Sequence, residues 1–199
     1  MESAVECVYK TFFLYEPLTP HLQTGEEGFR LFVNQMLTHA LKDELSWLAS
    51  HPKTGQVVGA FIATDLGDDF KPSVTDPGLI KMLKLTEDLW APFAYEMNVK
   101  KRNTEHSQMG AVLPEYQRLG IMNQLNRMVN DHAFEKGYKK MMGEATSQYS
   151  LNMRRKNPGI KELHTIVYDD YEQDGKRILS GIKTHKQCVL FSVPIELWG

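Results

Sequence analysis

One short segment of the sequence combines a strand end, a tight turn and a helix start, and this combination can bind an anion. Residues 112–122, VLPEYQRLGIM, leave an apolar strand, turn at Pro114 and open a helix near Gly120. The first amide N–H groups of a helix have no intrahelical partner and lie at the positive end of its dipole, so they suit a pyrophosphate. Gly120 lets the backbone approach the anion because it lacks a Cβ. A plain turn glycine is the alternative, and neither GxGxxG nor GxxxxGK[ST] occurs.

Four polar side chains outside this segment are candidates for acid–base chemistry: Glu16, His106, Thr146 and Ser150. Glu16 precedes a proline at a predicted helix end, where a solvated carboxylate is the ordinary alternative. Thr146 and Ser150 lie at the start of a short predicted helix, where hydroxyl side chains are favoured as N-caps. His106 heads the strand before the anion-binding segment, and a lone histidine is more often structural. Residue type alone therefore leaves these roles open.

The elements that must position these residues alternate along the chain in the manner of one α+β domain. Helical spacing of apolar residues predicts helices from Val5 to about Tyr15 and over 26–42, 79–93, 119–136 and 147–156. Alternating or continuous apolar runs bounded by turn residues predict strands over 44–51, 56–66, 106–113, 138–145, 162–171 and 187–195. No repeat or linker divides this order, so residues 1–199 are predicted to form one three-layer domain, a mixed sheet of about six strands flanked by helices.

Composition excludes several classes of protein. The 199 residues are 42% apolar with a net charge of −2, which supports one sizeable core and no global positive field for nucleic acid or anionic membrane. Cys7 and Cys188 lie far apart without a CxxC spacing, which indicates reduced thiols and no metal framework. No signal peptide, membrane-spanning run or lipidation motif is evident. We expect a cytoplasmic protein, monomeric or homodimeric, with neither a nucleic-acid nor a membrane partner.

Three sequence motifs resemble one known family. Gln117-x-x-Gly120-x-Met122 is similar to the Q/R-x-x-G-x-G/A signature of the GCN5-related N-acetyltransferase (GNAT) superfamily, which grips the pyrophosphate of acetyl-coenzyme A. Residues 10–18, KTFFLYEPL, resemble the KTFF-x-x-EPL segment of the insect dopamine or arylalkylamine N-acetyltransferase-like family. Residues 146–150, TSQYS, resemble that family's S-S-x-Y-S. The motifs follow the family's order, so the resemblance covers nearly the whole chain.

The resemblance implies a GNAT-like acyl-CoA N-acyltransferase fold, acetyl-CoA as cosubstrate and a set of site residues. Glu16 falls on the glutamate proposed as general base, while Thr146 and Ser150 fall on hydroxyls proposed to assist it and to protonate the leaving thiolate. Ala111 and Val112 fall where the strand backbone pairs with the pantetheine arm, and Gly110 near the amide that polarises the thioester carbonyl. The implied pyrophosphate loop follows Gln117 and comprises Arg118, Leu119, Gly120, Ile121, Met122 and Asn123.

The sequence also departs from the family pattern. Met122 replaces the usual small residue and Arg118 the common glycine. The tyrosine that many superfamily members use as an acid is absent, and Arg154 and Arg155 lie at that place. With Lys156 these arginines form a charge run that either meets the 3′-phosphate of coenzyme A or is a solvated face. The family's first edge strand is also predicted to be missing, because helical sequence starts by Val5.

The sequence therefore predicts an acetyl-CoA-dependent N-acetyltransferase of small primary amines, with arylalkylamines such as dopamine, tyramine, octopamine or serotonin favoured. Polyamines or other amines are the alternative substrates, and a non-catalytic acyl-CoA-binding module is the alternative class. Acetylation of protein N-termini or lysines gains no support from the sequence. Trp47, Trp90, Phe93 and Tyr95 either line an aromatic amine pocket or pack in the core. His106 is a candidate backup base.

Overall fold

A computed structural model describes residues 1–68, 70–94 and 101–196 of the chain. Within them the helices are α1 (Glu2–Tyr15), α2 (Leu18–His21), α3 (Glu26–Ala40), α4 (Pro77–Ala94), α5 (Ile121–Glu135) and α6 (Gln148–Arg154). The strands are β1 (Trp47–Ser50), β2 (Val57–Asp65), β3 (Thr104–Val112), β4 (Lys140–Ala145), β5 (Lys161–Val167) and β6 (Gln187–Pro194). Short 3₁₀ turns occupy Pro114–Tyr116 and Tyr168–Asp170.

The strands form one mixed six-stranded sheet in the order β1-β2-β3-β4-β6-β5. Only the pairing of β3 with β4 is parallel, as a strand–helix–strand crossover through α5 requires. Helix α1 precedes β1, the first strand of the described residues. The predicted mixed sheet flanked by helices is confirmed.

Helices cover both faces of this sheet and make three layers. On the first face, α1, α3 and the start of α4 bury apolar residues against β2 and β3, and α2 and α4 bury others against β6. On the second face, α5 and α6 pack on β2, β4 and β6 through Leu125, Val129 and Leu151. We refer to these as the α1–α4 face and the α5–α6 face.

The predicted element boundaries differ from the observed ones in a few places. Helix α4 continues through Pro92, because proline's fixed φ is helical and only one hydrogen bond is lost near the helix end. The predicted strand 162–171 ends at Val167, where the chain turns into the 3₁₀ segment. The sequence did not predict α2, a single turn that begins directly after Pro17. The predicted aromatic residue Tyr95 lies outside the described residues.

The central feature of the sheet is an opening between β3 and β4. Their parallel register runs from Thr104 opposite Lys140 to Ser107 opposite Gly143 and stops there, although β3 continues to Val112. A Cβ built on Gly143 would lie 2.6 Å from the Ser107 carbonyl oxygen, so glycine is needed for the strands to approach this closely. Beyond this point no strand of the described residues pairs with the β4 side of β3.

Candidate active site

The loop before α5 presents a row of unpaired amides. Arg118 and Gly120 both have left-handed backbones, with φ of 62° and 80°, and no side chain caps the helix. Gln124 N donates to Gly120 O, so the amides of Ile121, Met122 and Asn123 precede the first helical bond. A Cβ on Gly120 would meet nothing within 4 Å, and the loop is therefore open to a ligand. This geometry suits an anion such as a diphosphate.

The side chain of Met122 packs on β3 and leaves the loop open. Its Sδ and Cε lie 3.3 and 3.2 Å from where a Cβ on Gly110 would be. Met122 therefore fills space above Gly110 at the strand opening, while Arg118 and Leu119 are exposed. Gln117 Nε2 donates to Val112 O at 3.3 Å and ties the loop back to β3. The two departures from the family motif thus leave the loop amides accessible.

The outer part of β3 offers backbone groups to the opening. Leu113 N donates to Val58 O of β2 at 2.9 Å. Because antiparallel strands alternate the direction of their amides, Ala111 faces β2 as well, whereas the amides of Gly110 and Val112 point toward the opening. The Val112 carbonyl accepts from Thr11 Oγ1 at 3.2 Å, in addition to Gln117. An extended ligand arm can therefore pair with this edge as an added strand would.

Glu16 is a buried carboxylate, which excludes the solvated helix end considered from the sequence. It is 9% exposed, and its Oε2 accepts from Thr19 N at 2.7 Å and from Thr19 Oγ1 at 2.6 Å. Its Oε1 has no hydrogen-bond partner within range in the described residues. Burial raises the pKa of Glu16, while hydrogen bonding to Thr19 opposes this rise and the nearby Thr146 hydroxyl acts in the same direction as Thr19. Glu16 also lies in the wall of a cavity of about 410 Å³.

The hydroxyl residues after β4 divide between the site and the helix start. The N-cap of α6 is Ser147, which forms a reciprocal capping box with Ser150. Ser150 Oγ donates to Ser147 O at 2.9 Å, so the helix start engages this hydroxyl. Thr146 acts on the pKa of Glu16 and does not cap the helix. The structure thus brings Glu16 and Thr146 together, and the Ser-x-x-Ser spacing is the signal that would have located the cap.

A second polar cluster on the α1–α4 face surrounds His106. Its Nε2 lies 3.2 Å from Glu144 Oε1, and its Nδ1 lies 2.8 Å from Gln108 Nε2. Burial raises the pKa of Glu144. His106 and the hydrogen bond from the Trp90 indole N–H to Glu144 lower this pKa by more than burial raises it, so the net shift is downward. His106 is therefore held by a carboxylate, and Trp90 belongs to this cluster. The sequence did not predict Glu144, because its partners lie 38 and 54 residues away.

The other predicted aromatic pocket residues do not assemble into one wall. Trp47 packs beside the α5–α6 core with its ring edge toward His132, at 5.9 Å between centroids. Phe93 contacts His164 on the opposite face. Among the described aromatics, core or local packing is therefore the correct interpretation for Trp47 and Phe93.

The predicted charge run splits into three different environments. Arg154 is buried at 5% exposure, whereas Arg155 pairs with Glu162 at 2.6 Å on the surface. Lys156 lines a cavity of about 490 Å³ with Asn123 and Asn126 of α5. Lys156 therefore lines a cavity that reaches the start of α5. Interpretation of the run as one solvated face is wrong for Arg154.

Glu105 lies in the paired part of β3, opposite Met141 of β4, and is fully buried. Neither of its carboxylate oxygens has a hydrogen-bond partner in the described residues. Burial raises its pKa from 4.5 to about 8, and Arg154 opposes this only in part. In the unfolded chain Glu105 loses its proton above about pH 4.5, whereas in the folded protein it keeps the proton up to about pH 8. The free energy of unfolding therefore decreases as the pH rises from 4.5 to about 8. Above the pKa of the folded protein, the free energy of unfolding no longer changes with the ionisation of Glu105.

We therefore expect Glu105→Gln to stabilise the protein at pH 9, by on the order of 2–4 kcal/mol, and to change stability little at pH 5. Urea unfolding at the two pH values measures this difference. Glu162→Gln, which removes the surface partner of Arg155, should lower stability slightly at both. An equal gain from Glu105→Gln at both pH values would contradict the assigned ionisation.

Histidine and acidic side chains that could hold a metal ion meet at one place in the described part of the chain. Donor atoms of His39, Asp43 and Asp68 lie within 4.8 Å of one another. Lys101 Nζ already pairs with Asp68 at 2.6 Å. This group lies at the end of α3, away from the strand opening.

No protein-family model and no curated protein matches the chain. Solved structures do match it along nearly its full length. The C-terminal condensation domain of Ebony, solved in complex with β-alanyl-dopamine, has a TM-score of 0.86 at 14% identity and covers 98% of this chain and 93% of that chain. Arylalkylamine N-acetyltransferase 2 from Aedes aegypti has a TM-score of 0.82 at 20% identity, covering 98% and 94%. Drosophila melanogaster polyamine N-acetyltransferase has a TM-score of 0.68 at 16% identity, covering 97% and 94%.

These likenesses establish the fold. The chain has the GNAT acyl-CoA N-acyltransferase architecture, as the sequence motifs predicted. None of the helices in the described residues has the length and apolar character needed to cross a membrane. Because the sequence identities are 20% or lower, these structures do not show which substrate this chain binds.

Proposed function

We propose that the protein is an acetyl-CoA-dependent N-acetyltransferase of small primary amines, acting in the cytoplasm as a monomer or homodimer. One observation carries the proposal: the open row of amides before α5 follows the β3 edge that pairs with no strand beyond Ser107 in the described residues, and the buried carboxylate of Glu16 lies near Thr146, the residue directly after β4. The amides of Arg118 to Asn123 would hold the diphosphate of acetyl-CoA. The β3 edge would pair with the pantetheine arm through the backbone of Gly110 and Val112, whereas Ala111 between them is engaged by β2.

Such a site can supply the steps that acetyl transfer needs. A primary amine has a pKa near ~10.4, so only about one molecule in a few thousand is neutral at pH 7. The Glu16 carboxylate takes one proton from the ammonium, directly or through a water, while Thr19 holds the carboxylate in place. The neutral amine nitrogen attacks the thioester carbonyl, and the amide of Gly110 stabilises the oxyanion. The second nitrogen proton then passes to water and the C–S bond breaks with its electron pair on sulfur, without an acyl-enzyme.

The cavity beside Glu16 favours aryl amines over polyamines. Glu16 is its sole acidic residue among the described lining residues, which also include His21, Lys183 and His185. A polyamine would place its second cation near the ammonium of Lys183, whereas an aromatic ring can lie against Tyr15 and Pro17. We therefore propose arylalkylamines such as dopamine, tyramine, octopamine or serotonin as substrates. The arylalkylamine and dopamine chemistry named for the Aedes and Ebony neighbours supports this choice.

Thiol release from acetyl-CoA, measured with tryptamine, dopamine, agmatine and spermidine in turn, tests this proposal. We expect amine-dependent release with the aromatic amines and much weaker release with the polycations. Faster release with spermidine would replace the substrate class with polyamines. Calorimetric binding of coenzyme A without release for any amine would instead support a non-catalytic acyl-CoA-binding module.

A further inference from the structure

The core of the protein buries a cationic side chain where β3 and β4 part. The guanidinium of Arg154 donates through Nη2 to Ser107 Oγ and through Nη1 to Asn126 Oδ1, each at 2.6 Å. Ser107 is the last β3 residue paired with β4. Asn126, in turn, lines the cavity of about 490 Å³ that extends to Asn123 at the start of α5. Arg154 therefore connects the end of the strand pairing to the proposed cofactor side.

The positive charge of Arg154 has no close counter-ion in the described residues. The rings of Phe61 and Phe191 lie against the guanidinium, at 5.2 and 4.8 Å from their centroids. Glu105 acts on Arg154 only at longer range and makes no hydrogen bond to it. A buried cation without a bound anion is costly to fold, since its hydration is lost without a matching charge. This arrangement is suited to an anion that arrives or forms during function.

The proposed general base and the buried arginine lie on opposite faces of the sheet. Glu16 and the cavity beside it belong to α1 and α2 on the α1–α4 face. Arg154 belongs to α6 on the opposite face, together with the amides at the start of α5. An amine that loses its proton to Glu16 attacks the thioester from the first face. The thiolate then leaves toward the second face, where Arg154 lies.

We propose that Arg154 is a catalytic residue that stabilises the departing thiolate of coenzyme A. This inference rests on the proposed acetyltransferase function. Glu16 takes one proton from the ammonium, the neutral nitrogen forms a bond to the carbonyl carbon, and the second nitrogen proton passes to water. The C–S bond breaks with its electron pair on sulfur, and the guanidinium of Arg154 donates a hydrogen bond to that sulfur. Arg154 keeps its own protons, and the thiolate takes one from water after release.

The hydroxyl of Ser150, which the sequence motif assigned to this step, is less available. It donates to Ser147 O and takes part in the capping box of α6. Arg154 retains unused N–H donors, because a guanidinium has five and its hydrogen bonds to Ser107 Oγ, Asn126 Oδ1 and Met141 Sδ use three. A fixed cation in a site screened from water stabilises a developing anion strongly.

The test compares leaving groups. Arg154→Met keeps an apolar side chain of similar length, and we expect it to lower kcat with acetyl-CoA by about 10²–10³-fold. With an aryl acetyl thioester, whose thiol is more acidic than coenzyme A, the loss in kcat/KM should be less than about tenfold, since that thiolate needs less stabilisation. Arg154→Lys should restore part of kcat, and Ser107→Ala, which loosens Arg154, should show a smaller loss with the same preference for acidic thiols.

The outcomes separate this inference from the function on which it rests. If the wild-type protein shows no amine-dependent thiol release, the acetyltransferase proposal itself fails. If Arg154→Met and Ser107→Ala lose the same factor with both thioesters, the role of Arg154 is structural and our inference is overturned. Tighter coenzyme A binding with undiminished kcat in Arg154→Met would show that Arg154 obstructs the opening, and would also overturn it. Thermal unfolding of each variant verifies that it is folded.

Discussion

Replacing Glu16 with glutamine should lower kcat for amine acetylation by about 10²–10⁴-fold while coenzyme A still binds. Glutamine retains an oxygen that can accept from Thr19 but cannot take a proton from the amine. Steady-state rates over a range of pH measure the effect. Because burial raises the pKa of Glu16, wild-type kcat should rise with pH through a limb that lies above the ordinary pKa of glutamate, and the variant should lack this limb.

Glu27→Gln is the matched control for this prediction. Glu27 is an exposed glutamate in the first turn of α3, so its replacement removes the same charge away from the opening. Its rate and pH profile should equal those of the wild-type protein. If Glu16→Gln retained wild-type turnover and the same acidic limb, Glu16 would be removed from the mechanism and His106, held by Glu144, would become the candidate base.

Placing an acidic residue at Gly120 should abolish most coenzyme A binding, whereas its neutral isostere should not. Asn and Asp both tolerate the left-handed backbone at φ 80°, so Gly120→Asn should cost less than about tenfold in affinity. Gly120→Asp should weaken binding by a further factor on the order of 10–100, because its carboxylate repels the diphosphate at the positive end of α5. Calorimetric titration with coenzyme A measures both.

The same helix offers the control for this second prediction. Gly137, just after α5, is also left-handed at φ 89°, and a Cβ there would also meet nothing within 4 Å. The pair Gly137→Asn and Gly137→Asp should therefore leave coenzyme A affinity unchanged. The gap between the two Gly120 variants should narrow at high salt, since screening weakens the repulsion. Equal affinities of Gly120→Asp and Gly120→Asn at low salt would mean that no anion binds at this loop.

The open loop before α5 could be predicted from the sequence, because its unpaired amides follow from the local backbone structure. A strand end, a proline turn and a glycine before an apolar helical stripe determine which amides lack partners, whatever the rest of the fold does. The burial of Glu16 could not be predicted in this way. It depends on α2, which is a single turn, and on Thr146, which is 130 positions away in the chain. The folded sheet brings Thr146 near Glu16.

Arg154 shows where a local pattern was misleading. Three consecutive basic residues favour a solvated face, yet Arg154 follows the buried Leu151 by three positions and so shares its side of α6. That spacing was the available signal. The acceptors Ser107 and Asn126, by contrast, come from β3 and α5 and could be identified only in three dimensions.

The lack of a Cβ on Gly143 has an evolutionary consequence. Because any larger side chain there would collide with the Ser107 carbonyl, mutation can hardly adjust the width of the gap at its narrowest point. Diversification toward new amines must instead come from α2 and from residues 181–185, in the loop before β6, which both contribute to the wall around Glu16. Proteins that evolve from this fold should therefore keep glycine at position 143 while the residues of the cavity wall around Glu16 change.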